Sequence, residues 1–319
     1  GESLTAVNSS SQFYGCSSVK EVTFTGLTVP SYGTNLFYGM TTSLETVYVP
    51  AGAYDAYSSA FKSSVGSARI KSIGATGDFQ IDDGVLTVYL GDGGDVVIPD
   101  GVTAIGTSAF QNCTGLTSVT IPEGVTSIGS YAFSGCTGLT GISLPKSLTS
   151  IGTYAFYRCT AMAGGLTIPA AVTSIGERAF YECKSLTSLK LGNSITSIGE
   201  YAFYNCSGMT GDLTIPDSVT SIGSYAFQYC SGFNGTLTLS KSLTTIQYGT
   251  FYGCNNITGE LVIPDNVKTI NGEAFRGMSK ITSVVFGESL TAVNSSSQFY
   301  GCSSVKEVTF TGLTVPSYG

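Results

Sequence analysis

The sequence predicts a right-handed, β-rich solenoid of 23–24-residue turns with short parallel strands. Three observations predict it. A long motif recurs at fixed spacing: Val119–Gly141 reads VTIPEGVTSIGSYAFSGCTGLTG, and the stretch from Ile142 reads ISLPKSLTSIGTYAFYRCTAMAGG. Apolar and polar residues alternate in two short runs of each copy, which is the period of half-buried strands. Only 11% of residues are charged, against roughly 25% in ordinary soluble domains, with Gly, Ser and Thr in their place. Copies start at Val96, Val119, Ile142, Leu166, Leu189, Leu213, Leu237, Leu261 and Val284, with a shortened one at Val308.

Each position in the motif has a physical task. The opening L-x-I-P run is a strand that proline terminates, because proline has no N–H to give to a ladder. The V-T-S-I run forms a second short strand, burying Val and Ile from the opposite wall. The glycine that follows (Gly106, Gly129, Gly152, Gly176, Gly199, Gly223) is expected to permit a turn that a Cβ would obstruct. The x-x-A-F-x-x-C segment reads as a short helical or 3₁₀ turn. Its Ala lets turns approach, and its Phe points inward at Phe110, Phe133, Phe156, Phe180, Phe203, Phe227, Phe251, Phe275 and Phe299. One copy cannot bury these groups alone; stacked copies can, at roughly 4.8 Å per step.

Cysteine keeps the same period at Cys113, Cys136, Cys159, Cys183, Cys206, Cys230, Cys254 and Cys302, with Met278 in the place of one. Cys16 and Met40 follow the spacing near the start. Metal binding needs convergent ligands such as C-x₂-C, and no such cluster occurs. Parallel Cβ vectors on neighbouring turns suit disulfides poorly. A structural ladder of free, buried thiols is expected, each a small hydrophobe with a weak S–H donor.

These residues resemble the BspA-like, Treponema-type leucine-rich repeats, whose pattern is approximately L-x-x-I-x-I-P-x-x-V-T-S-I-G-x-x-A-F-x-x-C. The resemblance covers nearly the whole chain and implies a leucine-rich-repeat superhelix. It further implies a secreted or surface-attached bacterial protein, as members of that family typically are, some of them adhering to host matrix proteins or other microbes. The matching positions are core positions, so the resemblance carries no ligand with it.

The pattern lapses between Val49 and Ile98. Tyr54, Tyr57 and Phe61 recur at helical spacing, so residues 52–64 are expected to form an amphipathic C-terminal cap. Residues 1–73 are then the end of one repeat unit, 74–77 a linker, and 78–95 a β-hairpin with an Asp-Asp-Gly turn that caps the next solenoid. That solenoid, 96–319, is expected to be truncated before its C-terminal cap. Residues 1–33 are identical to 287–319, as in a tandem array with a 286-residue unit cut out of phase; recombinant permutation is the alternative. Open solenoid ends present unpaired strands, so association end to end is expected, between chains or between the two pieces. Any secretion signal is expected to lie outside this stretch.

Function is read from what remains. Histidine is absent, which removes the commonest general base and metal ligand. No enzymatic activity and no cofactor or metal are expected. The acidic group Asp78, Asp82, Asp83, Asp92, Asp95 and Asp100 fits no calcium-binding spacing and reads as turn chemistry. A net charge of −7 disfavours nucleic acid and anionic membranes, and no apolar run is long enough to insert in a membrane. Two outward aromatic columns stand out: Tyr157, Tyr181, Tyr204, Tyr252 and Tyr300 after the core Phe, with Tyr14 and Tyr38 in register, and Tyr131, Tyr154, Tyr201 and Tyr225 before Ala-Phe. The rings suit recognition of a protein or glycan, although stacking on one another would also account for them. The outward strand positions Thr120, Ser143, Thr167, Lys190, Thr214, Thr238, Val262 and Val285 form a second surface, expected to be flat and neutral. The leading reading is an extracellular adhesion or protein-interaction module; the alternatives are a non-binding structural spacer and a glycan-binding module.

Overall fold

The computed structural model describes residues 6–7, 18–23, 31–32, 44–50, 69–73, 78–294, 297–312 and 317–318. The chain forms two compact units, residues 1–82 with 88–91, and residues 83–87 with 92–319. The fold is a β-solenoid of about 10 turns of roughly 23 residues.

In the larger unit, one wall is built from the L-x-I runs, which stack in parallel with copy start against copy start. Val96 pairs with Val119 and Val119 with Ile142, Leu166 with Leu189, Leu213 with Leu237, and Leu261 with Val284 and then Val308. The opposite wall is a ladder of Ser-Ile pairs, Ser127↔Ser150↔Ser174↔Ser197↔Ser221. Ile128, Ile151, Ile175, Ile198 and Ile222 point inward and are all buried. The threonine ahead of each pair fixes neighbouring coils twice: Thr126 donates from both its N–H (2.8 Å) and its hydroxyl (3.1 Å) to the Thr103 carbonyl.

The A-F-x-x-C segment closes each coil without helix; among the described residues there are none. In the coil of Tyr131, the N–H groups of Ala132, Ser134 and Cys136 bond back three residues, as in a tight turn. Those of Tyr131, Phe133 and Gly135 instead reach the next coil, to Thr153, Ala155 and Tyr157, at 2.7–2.9 Å. A helix needs consecutive backward bonds, and every second donor here is spent between coils. The preceding glycine also differs from expectation. A Cβ on Gly152, Gly176 or Gly199 would stand 2.5–2.7 Å from backbone atoms of the coil before. Glycine is therefore required for close coil packing, with no left-handed φ at these positions.

The core follows from this stacking. The nine phenylalanines from Phe110 to Phe299 form one column, with centroids 4.8–5.7 Å apart and planes within 18° of parallel. The eight from Phe110 to Phe275 are fully buried, each burial worth about 1.5–3 kcal/mol. Beside it runs the thiol column. Cys136, Cys159, Cys183, Cys206, Cys230 and Cys254 are free and buried, while Cys113 and Cys302 at its ends are half-buried. The seven thiols from Cys136 onward each donate to the Phe carbonyl of the coil before, from Cys136 to Phe110 (3.0 Å) through Cys302 to Phe275 (3.3 Å). Burial pushes the Cys136 and Cys230 thiols up to about 12.

In the smaller unit, Ala6–Val7 pairs with Ser31–Tyr32. Glu21–Thr23, Thr46–Pro50 and Arg69–Ile73 form a parallel sheet in that order. Leu44 and Val47 are buried. The expected cap helix at 52–64 and linker at 74–77 lie outside the described residues, as do Tyr14, Cys16, Tyr38 and Met40. Phe79–Asp82 and Val85–Tyr89 are joined by Asp83 (φ 46°) and Gly84 (φ 77°), the paired positive φ values of a type I′ turn. Leu90 N–H closes the loop on the Asp78 carbonyl at 2.7 Å.

Candidate interaction surface

The residue before each Ala-Phe pair has a conformation that sequence reading did not anticipate. Tyr131, Tyr154, Tyr201 and Tyr225 all have φ between 53° and 60°, the left-handed region where a bulky side chain is an outlier. Gly249 occupies the same column at φ 57°. The backbone thus asks for glycine or asparagine, and the sequence supplies tyrosine four times.

The rings stack from coil to coil. Tyr131 lies on Tyr154 at 4.7 Å and Tyr201 on Tyr225 at 4.8 Å. Between these pairs, the position one coil on from Tyr154 is Arg178. Its guanidinium sits 5.4 Å from the Tyr154 ring centre and 4.6 Å from that of Tyr201, and it donates to the Tyr154 hydroxyl at 2.7 Å. Arginine therefore continues the column through a cation–π sandwich.

The second lane lies alongside. Tyr157 stacks on Tyr181 at 5.0 Å and Tyr181 on Tyr204 at 4.5 Å; Tyr204 then meets Tyr229 edge-on, and Tyr229 leans on Tyr252. Arg276 follows, 5.1 Å from both Tyr252 and Tyr300. The lanes touch through Tyr154–Tyr157 and Tyr201–Tyr204. Arg178 pairs with Glu177, Arg276 with Glu273, and Arg158 with Glu182 at 3.0 Å. Desolvation and the neighbouring Tyr204 push the Tyr181 phenol up to about 12, so that hydroxyl stays a neutral donor at physiological pH.

The structure therefore brings Tyr131, Tyr154, Tyr157, Tyr181, Tyr201, Tyr204, Tyr225 and Tyr252 onto one face. Sequence reading omitted Arg178, Tyr229, Tyr248 and Arg276 from it. The signal for Arg178 and Arg276 was available, since each stands one step along a tyrosine column. Tyr131, Tyr229, Tyr248 and Tyr300 are the most open of these rings, at 36%, 38%, 41% and 67% exposure.

Lys190 lies elsewhere, on the strand wall, which is not flat. Its ladder is interrupted after Ile142, after Leu189 and after Leu237. Ile98, Ile168 and Ile215 donate their N–H to the next coil at 2.8–3.0 Å; at the interruptions the same position is Leu144, Leu191 or Leu239. The incoming coil carries an extra residue at a left-handed glycine, Gly164, Gly211 or Gly259. A groove of 690 Å³ opens at the first interruption, lined by Ser143, Leu144, Lys146, Thr167 and Lys190 among others. A second, of 480 Å³, opens at the third, between Lys241 and Val262. The expectation of a flat wall is corrected by these grooves.

The acidic turn residues hold protein groups. Asp95 accepts from Ser118 (2.7 Å) and Thr117 (2.9 Å), and these bonds lower its carboxyl below the ordinary value. Among the described residues no group of three or more His, Cys, Asp or Glu side chains could hold a metal ion. No described helix is long and apolar enough to cross a membrane.

With the repeat geometry in hand, the family can be assigned. The BspA-type leucine-rich-repeat pattern matches residues 2–72, 93–210, 164–259 and 210–317, in six copies. The chain belongs to the BspA-type leucine-rich-repeat family. Similar solved structures include a leucine-rich repeat protein of Bacteroides ovatus, 29% identical with a TM-score of 0.53, covering 71% of this chain and 64% of that one. Another is the leucine-rich repeat protein of Treponema pallidum, 27% identical with a TM-score of 0.43, covering 72% and 89%. A leucine-rich cell surface protein of Faecalibacterium prausnitzii is 22% identical with a TM-score of 0.34, covering 75% and 94%. This chain thus spans less than two thirds of the Bacteroides protein. No curated protein matches the chain. Membership of this leucine-rich-repeat family places the chain in a class of interaction and surface modules.

Proposed function

We propose that this BspA-type repeat protein is a secreted or surface-displayed bacterial adhesion module that grips a protein ligand through the Tyr–Arg band. The observation that carries this reading is the repeated choice of tyrosine at left-handed positions. Such residues cost on the order of 1–3 kcal/mol each and concentrate at functional sites. Packing alone does not require them, since Gly249 fills the same column. Tyr and Arg are the residues that dominate protein recognition, offering large contact areas at low entropic cost. Repetition over successive coils favours many shallow contacts, strengthened when modules are displayed in number. Nothing in the band resembles a nucleophile paired with a base, so binding without chemistry is the reading adopted.

The test is a binding screen of the chain against host matrix proteins and glycans, repeated with Tyr154, Tyr201 and Tyr225 changed together to Ser. Protein binding that the triple variant loses while its thermal unfolding stays cooperative supports the proposal. Undiminished binding by the variant overturns the assignment to this band. Binding to glycans alone favours the glycan module, and no ligand at all favours the spacer.

A further inference from the structure

The larger of the two strand-wall grooves is formed in advance of any ligand. It opens between the coils that start at Ile142 and Leu166, where Gly141–Ser143 and Gly164–Thr167 do not pair with each other. The coils stay joined on both sides of that gap. Ala163 N–H bonds the Thr140 carbonyl at 2.7 Å before it, and Thr173 N–H bonds the Thr149 carbonyl at 2.9 Å after it. The opening is therefore held between fixed shoulders. Its 690 Å³ is the scale of a site for a few residues of peptide or a small molecule.

The lining carries one sign of charge. Lys146 and Lys190 are exposed and both border the groove, and among the described residues no Asp or Glu does. Neither ammonium is in an ion pair among the described residues. Glu123, one coil back, accepts the Lys146 backbone N–H at 2.9 Å and does not line the groove. A cleft lined by one charge concentrates ligands of the other, and this one stands out in a chain of net charge −7. The second groove differs, since Lys241 shares its lining with Glu260 and Asp265. Backbone donors add to the basic site. Leu144 and Leu191 line it, and among the described residues their N–H groups bond no carbonyl.

We infer that this groove binds an extended acidic segment of a partner protein, with carboxylates held by Lys146 and Lys190. The two lysines stand two coils apart, about 10 Å at ~4.8 Å per step. Carboxylates on alternate residues of an extended chain lie about 7 Å apart on one face, and the long lysine side chains span the difference. Their methylene stems, with Ile168, Pro169 and Ala170, cover apolar parts of the segment. Strand N–H groups left unpaired suit a peptide backbone better than a sugar chain. The site lies on the strand wall and does not rest on the Tyr–Arg band.

The test is fluorescence anisotropy of the full chain with a capped, labelled peptide of alternating Glu and Val. Its Gln-for-Glu counterpart and a sulphated oligosaccharide are run beside it. The Glu peptide should bind, weaken as salt rises, and outbind the Gln peptide. Lys146→Gln/Lys190→Gln should weaken it roughly tenfold, whereas Lys146→Arg/Lys190→Arg keeps the charge and the binding. Lys241→Gln, at the other groove, should leave it unchanged. All three sites are exposed, and an unaltered urea midpoint shows that each variant is folded. Failure of the Glu peptide to bind the wild type overturns the inference. Binding that Lys146→Gln/Lys190→Gln retains, or that Lys241→Gln weakens equally, overturns it too. Capture of the oligosaccharide without the peptide overturns it in favour of an anionic glycan.

Discussion

The phenylalanine column and the tyrosine lanes share one period, one coil geometry and nearly one ring spacing, yet they are built to different tolerances. Inside, nine phenylalanines follow without substitution, and their planes deviate by no more than 18°. Outside, interplanar angles run from 8° for Tyr181–Tyr204 to 75° for Tyr204–Tyr229, and Arg178, Gly249 and Arg276 interrupt the rings. A close-packed interior rejects a change of volume or tilt. A half-exposed lane accepts it, because water fills what a ring leaves. Uniformity in this molecule thus marks the core, and variation on a fixed spacing marks the surface free to be selected for binding.

Removing a core ring is the strongest way to break that comparison. Phe180→Ala leaves a hole between Phe156 and Phe203 and is expected to cost about 3–5 kcal/mol, read as a lower urea midpoint. Thiol chemistry gives the next contrast. With Cys136 and Cys230 pushed up to about 12, against an ordinary value near 8.5, thiolate at neutral pH is depleted by on the order of 10³–10⁴-fold. Maleimide labelling of the native protein should therefore favour the half-buried Cys113 and Cys302 over the six buried thiols, and denaturant should abolish the difference. Mass spectrometry of the labelled peptides checks this.

Gly176→Ala should cost about 1–3 kcal/mol through overpacking, because its Cβ would meet the Gly152 backbone at 2.5 Å. Tyr201→Ser sharpens the comparison from the other side. It loses stacking on Tyr225 and Arg178, worth about 0.5–1.5 kcal/mol, and sheds part of the left-handed strain. The net change in stability should be under about 1 kcal/mol, so a loss of ligand would be attributable to the surface. The smallest effect is acidic. Bonds from Ser118 hold the Asp95 carboxyl below its ordinary value, and bonds from Thr236 do the same for Asp212. A depressed folded-state value adds stability above the unfolded one, near 3.9. That increment is lost as pH falls below about 4. Urea midpoints measured between pH 6 and pH 3 should fall less steeply in Asp95→Asn/Asp212→Asn than in wild type.

Much of this was legible in the residues. The copy starts at Val119 and Ile142 stack in the register that their spacing implies, and Phe110 to Phe275 are the buried rings. The A-F-x-x-C segment reads as a short helical or 3₁₀ turn because local spacing says nothing about which N–H bonds leave the coil. Arg178 was passed over because single-column reading looked for tyrosine. The strand-wall grooves were missed because they open where the ladder between two coils is interrupted, which no single repeat displays.

The sequence by itself determined the period, the inward residues and the stacking direction, since a 23-residue repeat has few ways to hide Val, Ile and Phe at those spacings. Tertiary structure alone decided the rest. Alternate backbone donors cross to the next coil and turn a would-be helix into a ladder. That ladder holds Tyr131, Tyr154, Tyr201 and Tyr225 left-handed, which sets their rings in line on one surface. Neither outcome is written in a single repeat, because both arise from bonds that exist only between coils.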